Sequence, residues 1–144
     1  MNGIQETISV TNTYGWYEYR QNNSGGSFVE NDSVAHYVLV QATSTADADN
    51  KAESFGIYFD GCRQGYDCTC CGDRWYSADR PLDKFRVYTW GKGRYDTDYD
   101  KVEDYAQALT DDDTFAKAGE SVVVVYFADG TKQVFKKKGK KCKS

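Results

Sequence analysis

Nine residues, Asp67-Cys68-Thr69-Cys70-Cys71-Gly72-Asp73-Arg74-Trp75, constrain this chain more than any other stretch. They hold three of its five cysteines within four positions, and Cys62 lies just upstream. Sulfurs this dense share a metal ion, take part in redox chemistry, or sit together as free thiols. Five is odd, which argues against a fully paired set. Met1-Asn2-Gly3-Ile4-Gln5-Glu6 lacks the charged and apolar regions of a secretory leader. No apolar run approaches the ~20 residues that span a bilayer. The expected setting is a reducing cytoplasm with no membrane partner, where clustered cysteines favour metal or redox chemistry over structural disulfides.

Cys68 and Cys71 have the C-x2-C spacing of a zinc knuckle and are followed by Gly72, which lets backbone N–H groups approach the sulfurs. A structural Zn2+ needs four ligands, and there is no second C-x2-C. The other candidates are Cys62, Cys70, Cys142 and the single histidine, His36. Cys70 lies inside the knuckle, where one ion would strain to use all three neighbouring thiols. The preferred set is Cys68 and Cys71, then Cys62 and His36. The plainer alternative is a group of packed free thiols, with His36 as a core histidine. Cys68-Thr69-Cys70-Cys71 is also formally a redox C-x-x-C, but that motif normally opens a helix after a strand, and Gly72-Asp73 argues for a turn.

Around the sulfurs, Arg74 has Asp60, Asp67 and Asp73 as candidate ion-pair partners, and Trp75 has the bulk to keep water from the site. These residues read first as support. Read functionally, Asp73, Arg74, Trp75 and nearby tyrosines form a binding surface, since arginine and aromatics dominate hot spots. Gln21-Asn22-Asn23-Ser24-Gly25-Gly26 is a flexible connection whose backbone, around Asn22 and Asn23, offers N–H groups to a ligand. It is not a P-loop, because no Gly-Lys-Ser/Thr follows.

The rest of the chain reads as an α+β scaffold. Residues 7–20 are extended, and Gly15 marks a bulge or a close backbone approach. Val34 to Gln41 is nearly continuously apolar, which predicts a central strand. A helix follows, capped by Ser44 or Thr45 and stopped by Gly56, with Ala48, Ala52 and Phe55 on one face. Phe85 to Trp90 alternates as a strand. Val102, Tyr105, Ala106 and Leu109 fit a short helix over 101–109, capped by Asp98 or Asp100. Ser121 to Ala128 and Thr131 to Lys137 flank Asp129-Gly130, which predicts a hairpin with a type I′ turn. The order β-β-α-cysteine loop-β-α-β-β gives a single small domain over 1–135, with the cysteine loop at 60–76. It predicts a mostly antiparallel sheet with two short helices on one face, and a basic tail at 136–144.

Composition narrows the partners. Net charge is −4, yet six lysines fall between 136 and 143, and setting them aside leaves 12 basic against 22 acidic residues. An acidic body with a basic end favours steering of a partner over wrapping by nucleic acid. Twelve tyrosines, seven phenylalanines and three tryptophans predict a core with wet edges and an aromatic surface patch. Asp96, Asp98 and Asp100 look like an EF-hand opening but fail it. Lys101 stands where glycine is required, and Gln107 where the bidentate glutamate belongs. Asp111-Asp112-Asp113 has no neighbouring histidine or lysine to build a metal-dependent nuclease centre.

Three segments carry a resemblance: Tyr17 to Phe28, Ala52-Glu53 with Gly56 to Gly61, and Asp67-Cys68 with Cys70 to Trp75. They resemble a family of small tailed-bacteriophage proteins classed as a domain of unknown function. The likeness covers roughly residues 14–76, weakens beyond Trp75 and includes neither Cys62 nor the lysine tail. It implies a viral protein at work in the host cytoplasm and supplies no activity. The leading expectation is a phage accessory protein that binds a host protein or defence component. A small-molecule or nucleotide binder using Asn22 to Gly26 with Arg74 comes next, and a cysteine- or zinc-dependent enzyme last.

Overall fold

A computed structural model describes residues 13–22, 28–89, 94–113 and 116–138. Expectations for residues 7–12, Asn23 to Gly26, Trp90 and Cys142 lie outside these.

Four strands form one sheet: β1 (Gly15–Arg20), β2 (Tyr37–Ala42), β5 (Ser121–Tyr126) and β6 (Lys132–Lys136), in the order β1-β2-β5-β6. Two of its three pairings are antiparallel, and β2 with β5 is parallel. The apolar run does place β2 centrally: Val38, Leu39, Val40 and Ala42 are fully buried. The parallel pairing forces a long crossover between β2 and β5. That crossover carries helices α1 (Thr45–Ser54), α2 (Gly61–Gln64) and α3 (Val102–Asp112), and a separate hairpin of β3 (Phe85–Thr89) and β4 (Arg94–Tyr99).

Strand alternation sends side chains to two cores, one on each face. Tyr17, Tyr19, Val38, Val40, Val124 and Tyr126 meet Ala48 and Ala52 of α1, together with Trp75. Leu39, Val123 and Val125 meet Val102, Tyr105, Ala106 and Leu109 of α3. The helices therefore cover both faces rather than the one face expected, because the crossover crosses from one side of the sheet to the other. A register shift between Ser121 and Val123 puts Val122 and Val123 in the same core.

Local signals account for most element ends. Ser44 caps α1 by accepting from the Asp47 N–H at 3.0 Å. Gly56, at φ 109°, ends it in a Schellman arrangement, with Gly56 N–H on the Glu53 carbonyl and Ile57 N–H on the Ala52 carbonyl. Gly15 is a close approach: a Cβ there would meet the Pro81 Cβ at 3.0 Å.

Two local expectations fail. The residue before α3 is Lys101, with no side-chain cap, while Asp98 lies in β4, where Arg86 of β3 holds it at 2.5 and 3.2 Å. At the β5–β6 turn the Gly130 N–H reaches the Phe127 carbonyl at 3.0 Å, and Gly130 takes φ 94°. Asp129 is not at positive φ, so the type I′ turn, which needs both central residues there, does not form.

Candidate metal centre

The cysteine loop leaves the α1 side of the sheet through a left-handed residue. Asp60, at φ 58°, is the one non-glycine residue at positive φ among the described residues, and it turns the chain into α2. Gly65, at φ 86°, closes this short helix, and the N–H groups of Tyr66 and Asp67 both return to the Gly61 carbonyl, at 2.8 and 3.1 Å. That doubling back aims the Asp67 side chain inward, where it is 1% exposed. Its carboxylate accepts from the Tyr58 hydroxyl at 2.7 Å and the Arg74 N–H at 2.8 Å, and it pairs with Arg74 Nε at 3.8 Å. Only glycine fits opposite, since a Cβ on Gly61 would lie 1.8 Å from Asp67 Oδ2.

A second set of bonds ties the loop's far end. Asp73 Oδ1 accepts from the Cys62 N–H at 2.9 Å, and this bond holds its carboxyl below the usual carboxylate range. Desolvation, and then the same carboxylate, push the Cys62 thiol upward. Asn22 donates through Nδ2 to the carbonyls of Cys71 at 2.8 Å and Asp73 at 3.2 Å, and its own N–H reaches the Arg74 carbonyl at 2.9 Å. The Arg74 guanidinium donates to Gln21 Oε1 at 2.8 Å. Gln21 is itself buried and donates to the carbonyls of Val29 and Ala35.

Between these anchors Cys68 to Gly72 forms a tight turn, with the N–H groups of Cys71 and Gly72 both on the Cys68 carbonyl at 3.2 Å. Gly72 takes φ 89°. The turn puts the sulfurs of Cys68, Cys70 and Cys71 within 4.8 Å of one another, all exposed. Cys68 and Cys70 are joined as a disulfide, and the Cys71 Sγ lies 3.6 Å from the Cys70 Sγ.

The structure thus gathers three of the six candidate ligands, and only Cys68 and Cys71 of the preferred four. Cys70, expected to stand apart from the ion, sits in the middle of the group. Cys62 lies beside the turn, with its Sγ 3.5 Å from the Cys68 carbonyl oxygen, and is not part of the sulfur group. His36 is placed elsewhere too: it is buried, with Nδ1 2.8 Å from Asp113 Oδ2 and its ring stacked on Phe28. Zinc at about 2.3 Å from each sulfur of a tetrahedron needs sulfurs about 3.8 Å apart. The Cys70–Cys71 separation of 3.6 Å matches that, whereas Cys68 and Cys70 are bonded to each other and become available as two further ligands only once that disulfide is reduced.

The surface residues divide differently from the sequence reading. Trp75 is 2% exposed and packs in the core with Tyr17 and Tyr19, so it presents no face to a ligand. Asp73, Arg74 and Asn22 are bound into the loop's base, in supporting roles. Among the described residues the exposed aromatics are Tyr14, which lies before β1, and Tyr66, at 66%, and Tyr76, at 57%, one at each end of the loop. The Tyr66 ring meets the edge of Tyr58, and the Tyr76 hydroxyl lies 3.3 Å from where a Cβ on Gly72 would sit. Sequence reasoning missed Gly61, Tyr58 and Gln21. Only Gly61 left a signal, the Asp60-Gly61 turn.

A second concavity of about 430 Å³ lies between the sheet, the β3–β4 hairpin and α3, lined by Glu18, Arg20, Tyr37, Lys84, Arg86 and Tyr105 among others. Among the described residues no helix is long and apolar enough to cross a membrane.

The chain belongs to a family described as a domain of unknown function (DUF7296), whose model matches residues 14–143. The match continues well past Trp75, where the resemblance in the sequence fades. No curated protein and no solved structure matches the chain.

Proposed function

We propose that this chain is a binding module in which the Cys68, Cys70 and Cys71 thiolates take up zinc, and the loop so organised offers Tyr66 and Tyr76 to a protein partner. One observation carries the reading: three exposed sulfurs lie within 4.8 Å on a loop whose backbone is pinned by the buried Asp67 carboxylate and the half-buried Asn22 amide. Exposed tyrosines beside a rigid turn are what a recognition surface uses, since they bring large contact area at small entropic cost. The phage-protein resemblance supports a host protein or defence component as the partner, met in the host cytoplasm.

The test is elemental analysis of reduced protein after zinc loading, with Cys68→Ser and Cys71→Ser beside it. The expected result is one ion per chain, lost in both variants, with the far-UV spectrum unchanged. Reduced protein that retains no zinc would overturn the metal half. For the partner half, capture from host lysate should fall in a Tyr66→Ala/Tyr76→Ala variant, and equal capture would count against it.

The 430 Å³ concavity supports a second reading, as a small-molecule or nucleotide site. Arg20 lies 5.1 Å over the Tyr37 ring there, but it also pairs with Glu18, and Lys84 and Arg86 both pair with Asp98. Cations already neutralised grip an anion weakly, which ranks this reading second. A nucleotide thermal-shift screen tests it.

A further inference from the structure

We infer that the three-sulfur loop is a redox-gated site, in which closing the Cys68–Cys70 disulfide expels the ion; this rests on the zinc reading above. The two states are mutually exclusive at the same atoms. A thiolate sulfur binds zinc with its negative charge, whereas a disulfide sulfur is neutral: the pair of thiolates has given up two electrons to the oxidant and shares one bonding pair. Here Cys68 and Cys70 are joined and Cys71 remains a thiol 3.6 Å away, so the oxidised form keeps one of three ligands. All three residues are exposed, which gives a soluble oxidant access.

The geometry also confines the change to the turn. Asp67, Asp73, Asn22 and Arg74 hold the loop's base through carboxylate, amide and backbone groups, none of them a sulfur. Trp75 beneath is buried in the core. Sulfur chemistry above this floor therefore alters ion occupancy and the presentation of Tyr66 and Tyr76 without unfolding the chain.

The oxidant class is a low-molecular-weight disulfide, RSSR. The Cys68 thiolate attacks one of its sulfurs, a mixed disulfide forms and RS⁻ leaves. The Cys70 thiolate then attacks the Cys68 sulfur, the protein disulfide forms and a second RS⁻ leaves. The two protein thiolates together lose two electrons and RSSR gains them. The ion leaves as Zn2+, its charge unchanged.

The experiment loads the reduced full-length chain with zinc, adds oxidised glutathione, and follows zinc with a chromophoric chelator while thiols are counted. One ion should appear for every two thiols lost, peptide mapping should place the bond at Cys68–Cys70, and excess dithiol should restore binding. A Cys62→Ser variant should respond as the parent does. Zinc retained after two thiols are lost, a bond mapped to Cys62 or Cys71, or a response lost in Cys62→Ser would each overturn the inference while leaving the zinc reading intact. A reduced chain that takes up no zinc would overturn both.

Discussion

Replacing Asp67 by alanine should unseat the cysteine loop. Its buried carboxylate accepts two hydrogen bonds, from Tyr58 and from the Arg74 backbone, and pairs with the Arg74 side chain at 3.8 Å. Removing one partner from such a buried charged set costs about 3–5 kcal/mol. Arg74 keeps its bond to Gln21, so the lower end applies, about 3 kcal/mol. For a domain of this size that is a fall in Tm of roughly 10 °C. Gly61→Ala should act through the same carboxylate, because the new Cβ would lie 1.8 Å from Oδ2 and Asp67 has to leave its seat. Alanine's better helix propensity, worth about 1 kcal/mol, works against that loss and does not reverse it. The decisive measurement is a double-mutant cycle by urea unfolding. With Asp67 already alanine, the added methyl meets chiefly the Tyr58 ring at 2.8 Å, so Gly61→Ala should cost at most about 1 kcal/mol there. Strictly additive costs, or an Asp67→Ala loss below about 1 kcal/mol, would refute the idea that this carboxylate is the loop's foundation.

Three further outcomes follow from other parts of the molecule. Ser44→Ala should destabilise the chain by about 1 kcal/mol through loss of the α1 cap, with an unchanged urea m-value. Tyr105→Phe should cost about 1–2 kcal/mol, since the Tyr105 hydroxyl donates to Glu18 at the floor of the second concavity. Burial first, and then the Asp49 and Glu18 carboxylates, push Tyr19 and Tyr105 respectively far above the ordinary tyrosine range. An unfolded tyrosine ionises near pH 10, so the stability these two contribute is complete below about pH 10 and is lost as pH rises toward their folded values. Urea midpoints should therefore hold up to about pH 10 and drop between about pH 10 and pH 12, less steeply in Tyr105→Phe, and a flat profile above about pH 10 would contradict the assignment.

Much of the scaffold was legible because its signals are local. Val38 to Val40 announced a central strand, Ser44 and Gly56 bounded α1, and Val102, Tyr105, Ala106 and Leu109 traced the buried face of α3. Tyr95, Thr97 and Tyr99 carried the alternation of β4, but the interleaved aspartates suggested a helix start. What makes Asp98 tolerable in a strand is Arg86 on the neighbouring one, and only the register brings them together. The crossover that puts helices on both faces depends in the same way on β2 pairing with β5, whose partnered residues lie 86 positions along. At the site, cysteine density marked the place, and the turn on the Cys68 carbonyl decided which sulfurs meet. His36 was beyond reach of such reasoning because its partner, Asp113, is 77 residues away.

The division of labour in the loop bears on what the sulfurs are for. In a small zinc finger the ion supplies the folding free energy, and the apo chain is unfolded. Here two apolar cores flank the sheet, and the loop's ends are fixed by Asp67, Asp73 and Asn22 rather than by sulfur. A metal is therefore not needed to form the fold. On the proposed zinc reading, its binding energy would go instead into ordering the five residues of the turn, Cys68 to Gly72, a small entropic cost beside that of a whole domain. Affinity can then be moderate and occupancy reversible, which a purely structural ion could not tolerate. Chelation should accordingly leave the urea midpoint nearly unchanged while altering the fluorescence of the tyrosines at the loop's ends, and a chain that unfolds on chelation would show that the sulfurs carry the fold after all.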